Sequence, residues 1–406
     1  MWQNGVNINE VQTLRLRNTV YFGVGALDKI FEVITYFKEH GICRVLAVAG
    51  KSAYLKCGAW EKLSSACCHS GVELFLYNKV TPNPTTDQVD EAVALGKTKN
   101  VQAVIGIGGG SPIDAAKCIA VLLKYPGKLC TDLTNFKLIP AMSLPLAVIN
   151  LTHGTGTEVD RFAVVTDLKN EFKPALAYDC MYPMFAIEDP ELMTSLSPRQ
   201  TLYVSIDAIN HVVEAATSKM ASAYSIMLAE QTVKLVVQYL PQAKENPEDL
   251  KARYWLLFAS MLAGVSFDNG ILHFTHALEH PLSAVKPDLT HGLGLAILLP
   301  AVIEKIYPAR AAILSGILRP IAPHLSDEGT PENGLNAALA VEKWLFELGV
   351  TEKLEDFGFT EADIPKLTAL TFSTPSLQTL LDLAPVCASK ECVKDIYLKS
   401  LKPMRQ

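Results

Sequence analysis

Between Tyr21 and Lys124 short apolar runs alternate with longer amphipathic ones. CRVLAVAG at 43–50 predicts a buried strand, and the stretch from Trp60 to His69 a helix. VELFLY at 72–77 then predicts a strand and VDEAVALGKTK at 89–99 a helix. AVIGIGGGS at 103–111 reads as a strand ending in glycines, and PIDAAKCIAVLLK opens a helix at Pro112. Strands separated by helices at this spacing imply parallel pairing through crossover connections, a doubly wound α/β sheet. Strand-like runs continue as LPLAVINLT, RFAVVTD and PMFAIED, whereas nearly everything from Asp189 to Leu401 reads helical. The expectation is an α/β dinucleotide-binding domain over 1–193 followed by an all-α, metal-binding domain over 194–406.

Polar residues break the helical half at regular intervals. In SIDAINHVVEAATS, Asp207 and His211 are four apart and leave one helix face together. His276 and His280 repeat the device, with His273 one turn before and His291 beyond a proline-interrupted loop. A carboxylate and several imidazoles brought to one place offer the O and N donors of a divalent transition metal. Spacing alone leaves open which of His273, His276, His280 and His291 complete the set. Glu214, on the helix of Asp207, reads as a solvated or capping carboxylate.

The strand-to-helix turn at Gly106–Ser111 supplies a second kind of chemistry. Glycines there let a pyrophosphate approach the backbone, and the helix beyond offers unpaired N–H groups and a positive dipole end. A second glycine turn, THGTGTE at 152–158, reads equally as a lining of the same cofactor cleft by the hydroxyls of Thr152, Thr155 and Thr157 or as a tight structural turn. No G-x-x-x-x-G-K-[ST] occurs, so a P-loop nucleotidase gains no support. Lys117 and Lys124 fit the polar face of the intervening helix; His40, His69 and His324 fall outside every motif and read as surface residues.

Composition narrows the class. At 406 residues with 49% hydrophobic and 19% charged content, the chain is a folded protein able to bury a large core. A net charge of −6 gives no field to hold nucleic acid. The nine cysteines are an odd number without C-x-x-C spacing and read as thiols in a reducing compartment. No basic head precedes an apolar leader, and no run approaches the roughly 20 apolar residues of a membrane span. A cytoplasmic protein that binds neither nucleic acid nor membrane is expected.

With these motifs in place the chain resembles the iron-containing (group III) alcohol dehydrogenases, nearly end to end. The resemblance rests on TPNPTTDQV at 81–89, GGGSPIDAAK at 108–117, THGTGTEVDRFAVVTD at 152–167, SIDAINHVVEA at 205–215 and HALEHPLSAVKPDLTHGLGLAILLP at 276–300. It implies a metal held by Asp207, His211, His276 and His291, with Fe2+ expected and Zn2+ a common substitute. It also implies that His280 lies beside nicotinamide and substrate as the proton-transfer residue. Gly109, Gly110, Ser111 and Asp114 would border the pyrophosphate and nicotinamide, Thr152, Thr155 and Lys173 the cofactor, and Asn83 its adenosine side. Phe162, Phe267 and Leu272 match positions bordering the substrate.

One departure bears on the cofactor. Members of the family preferring NAD carry an aspartate after the first strand, where this chain has Gly50. Lys51 and Ser52 beside it can bind a 2′-phosphate, so NADP(H) is favoured over NAD(H). The activity implied is hydride transfer between a primary alcohol or aldehyde and the dinucleotide. A glycerol dehydrogenase-like polyol oxidoreductase and a metal-dependent hydrolase are the alternatives. Family members are often homodimers through N-terminal edge strands, here 13–23.

Overall fold

The computed structural model describes residues 17–404. In chain order the first part runs β1 (Thr19–Phe22), α1 (Ile30–Glu39), β2 (Arg44–Gly50), α2 (Ala53–Lys56), α3 (Ala59–Ser70), β3 (Glu73–Val80), α4 (Thr86–Thr98), β4 (Ala103–Gly108), α5 (Gly110–Leu122), α6 (Cys130–Thr134), β5 (Leu146–Asn150), β6 (Phe162–Val164), β7 (Ala175–Ala177) and β8 (Phe185–Glu188). The six-stranded sheet has the order β1-β8-β5-β4-β2-β3, and every pairing in it is parallel. Strands β6 and β7 form a separate antiparallel pair.

The apolar runs are continuous because both sheet faces are covered. Along β2, Leu46 and Val48 enter one core cluster with Ile113 and Ile119 of α5; Val45, Ala47 and Ala49 enter the other with Val33 of α1 and Leu63 of α3. The sheet reads outward from β2, with β3 on one side and β4 on the other. Strand order therefore reverses between β2 and β4, the crevice where open α/β sheets bind ligands at strand carboxyl ends. Three of those ends lie in register: Ala49 pairs with Ile107, and Gly108 with Asn150. The segments beginning at Gly50, Gly109 and Leu151 thus emerge at one sheet edge.

The helical part comprises α7 (Pro198–Thr217), α8 (Ala223–Glu245), α9 (Leu250–Gly270), α10 (Phe274–Val285), α11 (His291–Ile317), α12 (Pro331–Glu347), α13 (Ile364–Ser373), α14 (Leu377–Asp382) and α15 (Lys390–Ser400). The chain divides into two compact units. The described residues up to 197 join 246–261, while 198–245 join 262 onward. The stretch 246–261 therefore leaves the helical half in which its sequence places it. Arg253, fully buried, donates to the carbonyls of Pro247 (2.8 Å) and Leu196 (3.2 Å). The Ser260 hydroxyl accepts from the Gly154 N–H, and Tyr254 and Phe258 meet the Phe22 ring edge-on at 4.9 and 5.6 Å.

Helix α11 is long and apolar enough to cross a membrane by length and composition, and so is the bent α9–α10 pair taken together. The sequence reading finds no such run. Buried over 78% of its most apolar window, α11 is a core helix of its unit. Of the segment expected to pair between chains, residues 13–16 lie outside the described residues and 19–22 form the edge strand β1.

Candidate functional site

Three helices of the second unit converge on one carboxylate. Asp207 and His211 leave α7 a turn apart, His276 stands in the first turn of α10, and His291 opens α11. From Asp207 Oδ1, the Nε2 atoms lie at 3.5 Å for His211, 3.6 Å for His276 and 4.0 Å for His291. The donor atoms of Asp207, His276 and His291 all fall within 4.8 Å of one another. The His211 ring stacks on His276 at 4.6 Å and 11°.

Close backbone approach makes this convergence possible. A Cβ on Gly292 would stand 2.3 Å from the Tyr203 carbonyl oxygen, and one on Gly270 2.3 Å from that of Ala215. Glycine at both positions lets α11 and the end of α9 abut α7. Ile271 follows with φ 61°, an uncommon backbone for a β-branched residue, and turns the chain into α10.

Two buried carboxylates hold the far sides of the imidazoles. Glu214 Oε2 hydrogen-bonds His276 Nδ1, while its Oε1 accepts the N–H groups of His273 (3.0 Å), Thr275 (2.7 Å) and His276 (3.4 Å). Glu214 is thus a capping carboxylate, though of α10 and fully buried rather than solvated. Glu279 Oε2 likewise meets His291 Nδ1. Neither role is signalled in the sequence, because each carboxylate's partner lies on a different helix. His273 stays outside the cluster; its Nδ1 accepts from the Phe274 N–H and its Nε2 meets Thr217 Oγ1 at 2.9 Å.

Protonation follows from burial and these partners. Burial pushes His211 and His273 down to about 4, leaving both neutral near pH 7. Burial opposes a proton on His276 too, but Glu214 and then Asp207 outweigh it and raise this imidazole to about 9. Against its own burial, His211 first, then His276 and His291, hold the Asp207 carboxyl below its usual range.

These residues fit a divalent cation. Asp207 Oδ1 and His276 Nε2 are buried without a hydrogen-bond partner, which is costly unless something binds there. Asp207 and Glu214, at most 3% exposed and held ionised by the neighbouring imidazoles, gather negative charge that a dication offsets. The donors are imidazole and carboxylate with no thiolate, a set tolerant of Fe2+ or Zn2+. His280 lies one turn beyond His276, 3% exposed, its ring 6.4 Å from that of His276 and 5.9 Å from that of His291. Phe267 stacks on His211 at 4.6 Å, and Leu272 is half-buried nearby in sequence.

In the first unit, β4 ends at Gly108 and Gly109 caps α5, so Pro112 falls third in the helix instead of first. A Cβ on Gly109 would stand 2.6 Å from Thr152 Oγ1, and one on Gly110 2.7 Å from Thr155 Cγ2. The two glycine turns are therefore packed on each other. Helix α5 fastens them: Asp114 accepts from Thr157 Oγ1 at 2.7 Å and from the Val164 N–H at 2.9 Å. Lys117, assigned from sequence to the polar face of its helix, is fully buried and donates to Thr157 Oγ1, Asp160 and the Phe162 carbonyl.

The other expected cofactor positions fall as follows. Lys51 and Ser52 are exposed beyond β2, Asn83 sits with φ 53° in the turn after β3, and Lys173 is buried. The Phe162 ring lies under Arg161 at 5.6 Å. His40, His69 and His324 are exposed as expected.

A parallel sheet with a helix-opening glycine turn, in one chain with helices that gather one aspartate and three histidines, has the donor groups a metal- and dinucleotide-dependent oxidoreductase uses. Comparison with known proteins makes the class specific. Residues 18–190 match the model of the iron-containing alcohol dehydrogenases, and residues 201–401 that of the family's C-terminal part. The chain is 53% identical over 400 residues to the long-chain primary alcohol dehydrogenase AdhA of Thermoanaerobacter ethanolicus, covering 98% of this chain and 100% of the relative. It is 30% identical to the NAD-dependent methanol dehydrogenase of Bacillus methanolicus over 87% of this chain and 94% of that one. The solved NADH-dependent butanol dehydrogenase A of Thermotoga maritima superposes with a TM-score of 0.88 at 29% identity, over 97% of this chain and 99% of the other.

The chain belongs to the iron-containing alcohol dehydrogenase family. It is an oxidoreductase of the alcohol–aldehyde couple, working with iron chemistry and a nicotinamide dinucleotide.

Proposed function

We propose that the chain reduces apolar primary aldehydes, and oxidises the matching alcohols, with NADP(H) preferred over NAD(H). The observation that carries the site assignment is the single Asp207 oxygen facing three imidazole Nε2 atoms at 3.5–4.0 Å. Asp207, His211, His276 and His291 hold the cation, Fe2+ by family and Zn2+ as substitute. Held there, the cation would supply Lewis-acid chemistry to an alcohol or aldehyde oxygen, and the dinucleotide would supply the hydride acceptor or donor.

The chain's own residues do the rest. Gly109, Gly110 and Ser111 present α5 N–H groups to a pyrophosphate, with Thr152, Thr155, Asp114 and Lys173 along the dinucleotide and Asn83 toward its adenosine end. Lys51 and Ser52 receive a 2′-phosphate, which Gly50 admits by carrying no carboxylate. His280 takes up and returns the alcohol's proton at an imidazole nitrogen. Phe162, Phe267 and Leu272 offer apolar surface to the substrate. Name and identity of the Thermoanaerobacter relative support a long-chain substrate. A cytoplasmic homodimer paired through the β1 edge completes the reading, checked by light scattering on the purified chain.

The experiment is metal analysis with activity. The chain is expressed anaerobically, its bound metal quantified, and reduction of aldehydes of increasing length followed with NADPH and NADH, before and after chelation. One ion per chain, loss of turnover on chelation and return with Fe2+ are expected. Turnover that survives complete metal removal, or hydrolysis without dinucleotide, overturns it. His280→Ala should lower turnover and change its pH profile while metal content stays; loss of metal would make His280 a ligand instead.

A further inference from the structure

His291 is the most exposed imidazole of the cluster. His276 is 3% exposed, stacked on His211, and its Glu214 partner is itself fixed by three backbone N–H groups. The His291 side chain is 27% exposed and stands at the first residue of α11, where the N-cap Thr290 contributes no side-chain hydrogen bond. Yet its Nδ1 meets Glu279 Oε2, a carboxylate that is itself 0% exposed. Gly294, one turn into α11, leaves the space Glu279 occupies. A Cβ there would lie 2.9 Å from Glu279 Cγ and 3.2 Å from Oε1.

From this geometry we infer that Glu279 is a positioning residue for the cation site, with Gly294 as the position that admits it. The inference rests on the cation-site reading above. When Glu279 is ionised it only accepts, so the contact then places the His291 proton on Nδ1 and turns the Nε2 lone pair toward Asp207. The same contact fixes the ring plane of a partly exposed side chain and raises its donor strength. Glu214 does this for His276 as part of a helix cap, whereas Glu279 does it for the ligand most open to solvent.

The test follows metal release. Wild type, Glu279→Ala, Glu279→Gln and Gly294→Ala are loaded with Zn2+, freed of excess, and mixed with a chromogenic chelator. Release from Glu279→Ala and Gly294→Ala is expected to be faster by roughly 10–100-fold. Glu279→Gln, whose amide oxygen still accepts from Nδ1–H, should fall between. Co2+ loading adds a spectroscopic check: the visible bands should shift in Glu279→Ala and return toward wild type in Glu279→Gln. Wild-type release rates and bands in Glu279→Ala and Gly294→Ala overturn the inference while leaving the cation site standing. If wild type holds no stoichiometric ion, or His276→Ala retains it, the underlying reading fails instead. Should Glu279→Ala not fold, Gly294→Ala and Glu279→Gln still decide.

Discussion

Gly292 and Tyr203 touch backbone to side-chain position: a methyl group on Gly292 would lie 2.3 Å from the Tyr203 carbonyl oxygen and 2.8 Å from its carbon. No backbone group can yield to that, so Gly292→Ala should displace the start of α11 and carry His291 away from Asp207. We expect metal per chain, measured after dialysis, to fall well below wild type, with helix content by circular dichroism little changed. Full metal retention would show that α11 moves freely at its first turn.

Lys117 and Asp160 form an ion pair with both side chains fully buried, 2.9 Å apart. Removing one partner leaves the other charge stranded, a change that typically costs about 3–5 kcal/mol. Lys117→Met should therefore lower the denaturation midpoint markedly. It should also raise KM for the dinucleotide more than it lowers kcat, because Lys117 fastens the threonine turn through Thr157. Titration of stability and of cofactor dependence in one variant checks both.

Glu158 and Glu188 are fully buried, with Asn150 Nδ2 donating to both Glu188 oxygens at 3.3 and 3.1 Å. Burial raises Glu158 to about 7, tempered by Lys117; burial and then the Glu158 charge raise Glu188 well above the ordinary 4.5. The folded chain thus keeps protons that the unfolded chain loses near pH 4.5, so the contribution of Glu158 to stability falls as pH rises from about 4.5 through about 7, and that of Glu188 falls in the same direction. The slope is up to about 1.4 kcal/mol per pH unit for each proton retained. Urea midpoints between pH 5 and 8 should decline less steeply in Glu188→Gln than in wild type; equal slopes would remove the pair as their source.

At Gly50 a Cβ would meet only the Val80 carbonyl oxygen at 3.4 Å and Pro112 Cγ at 4.0 Å, ordinary contacts. Gly50→Asp should therefore fold, and its carboxylate should repel a 2′-phosphate while accepting a ribose hydroxyl. Each 1.4 kcal/mol or so of repulsion is about tenfold. The ratio of kcat/KM for NADPH over NADH should drop by at least that factor; an unchanged ratio would dissociate position 50 from cofactor choice.

What the sequence reveals depends on how far apart the interacting residues lie. The parallel sheet is legible because strands buried on both faces, such as 44–50 and 103–108, write unbroken apolar runs. Asp207 and His211 are legible because one helix turn joins them. Glu279 is not: its partner His291 lies across a loop on another helix, and in sequence it reads as one more helical carboxylate. Lys117 is hidden likewise, since Asp160 lies 43 positions on and helical spacing alone places the lysine outward. The helix over 250–270 reads correctly as a helix, but nothing in its own periodicity says that its first half belongs with the sheet.

That divided helix has a consequence for how the chain is made. A fragment ending at Ser197 would leave the Leu196 carbonyl and the Gly154 N–H without Arg253 and Ser260, and the Phe22 ring without its aromatic neighbours. On the ribosome, the sheet-bearing unit cannot close until residue 261 has emerged, by which time two long helices of the other unit are already outside. The two units are interleaved along the chain, so neither can be excised by cutting the gene once.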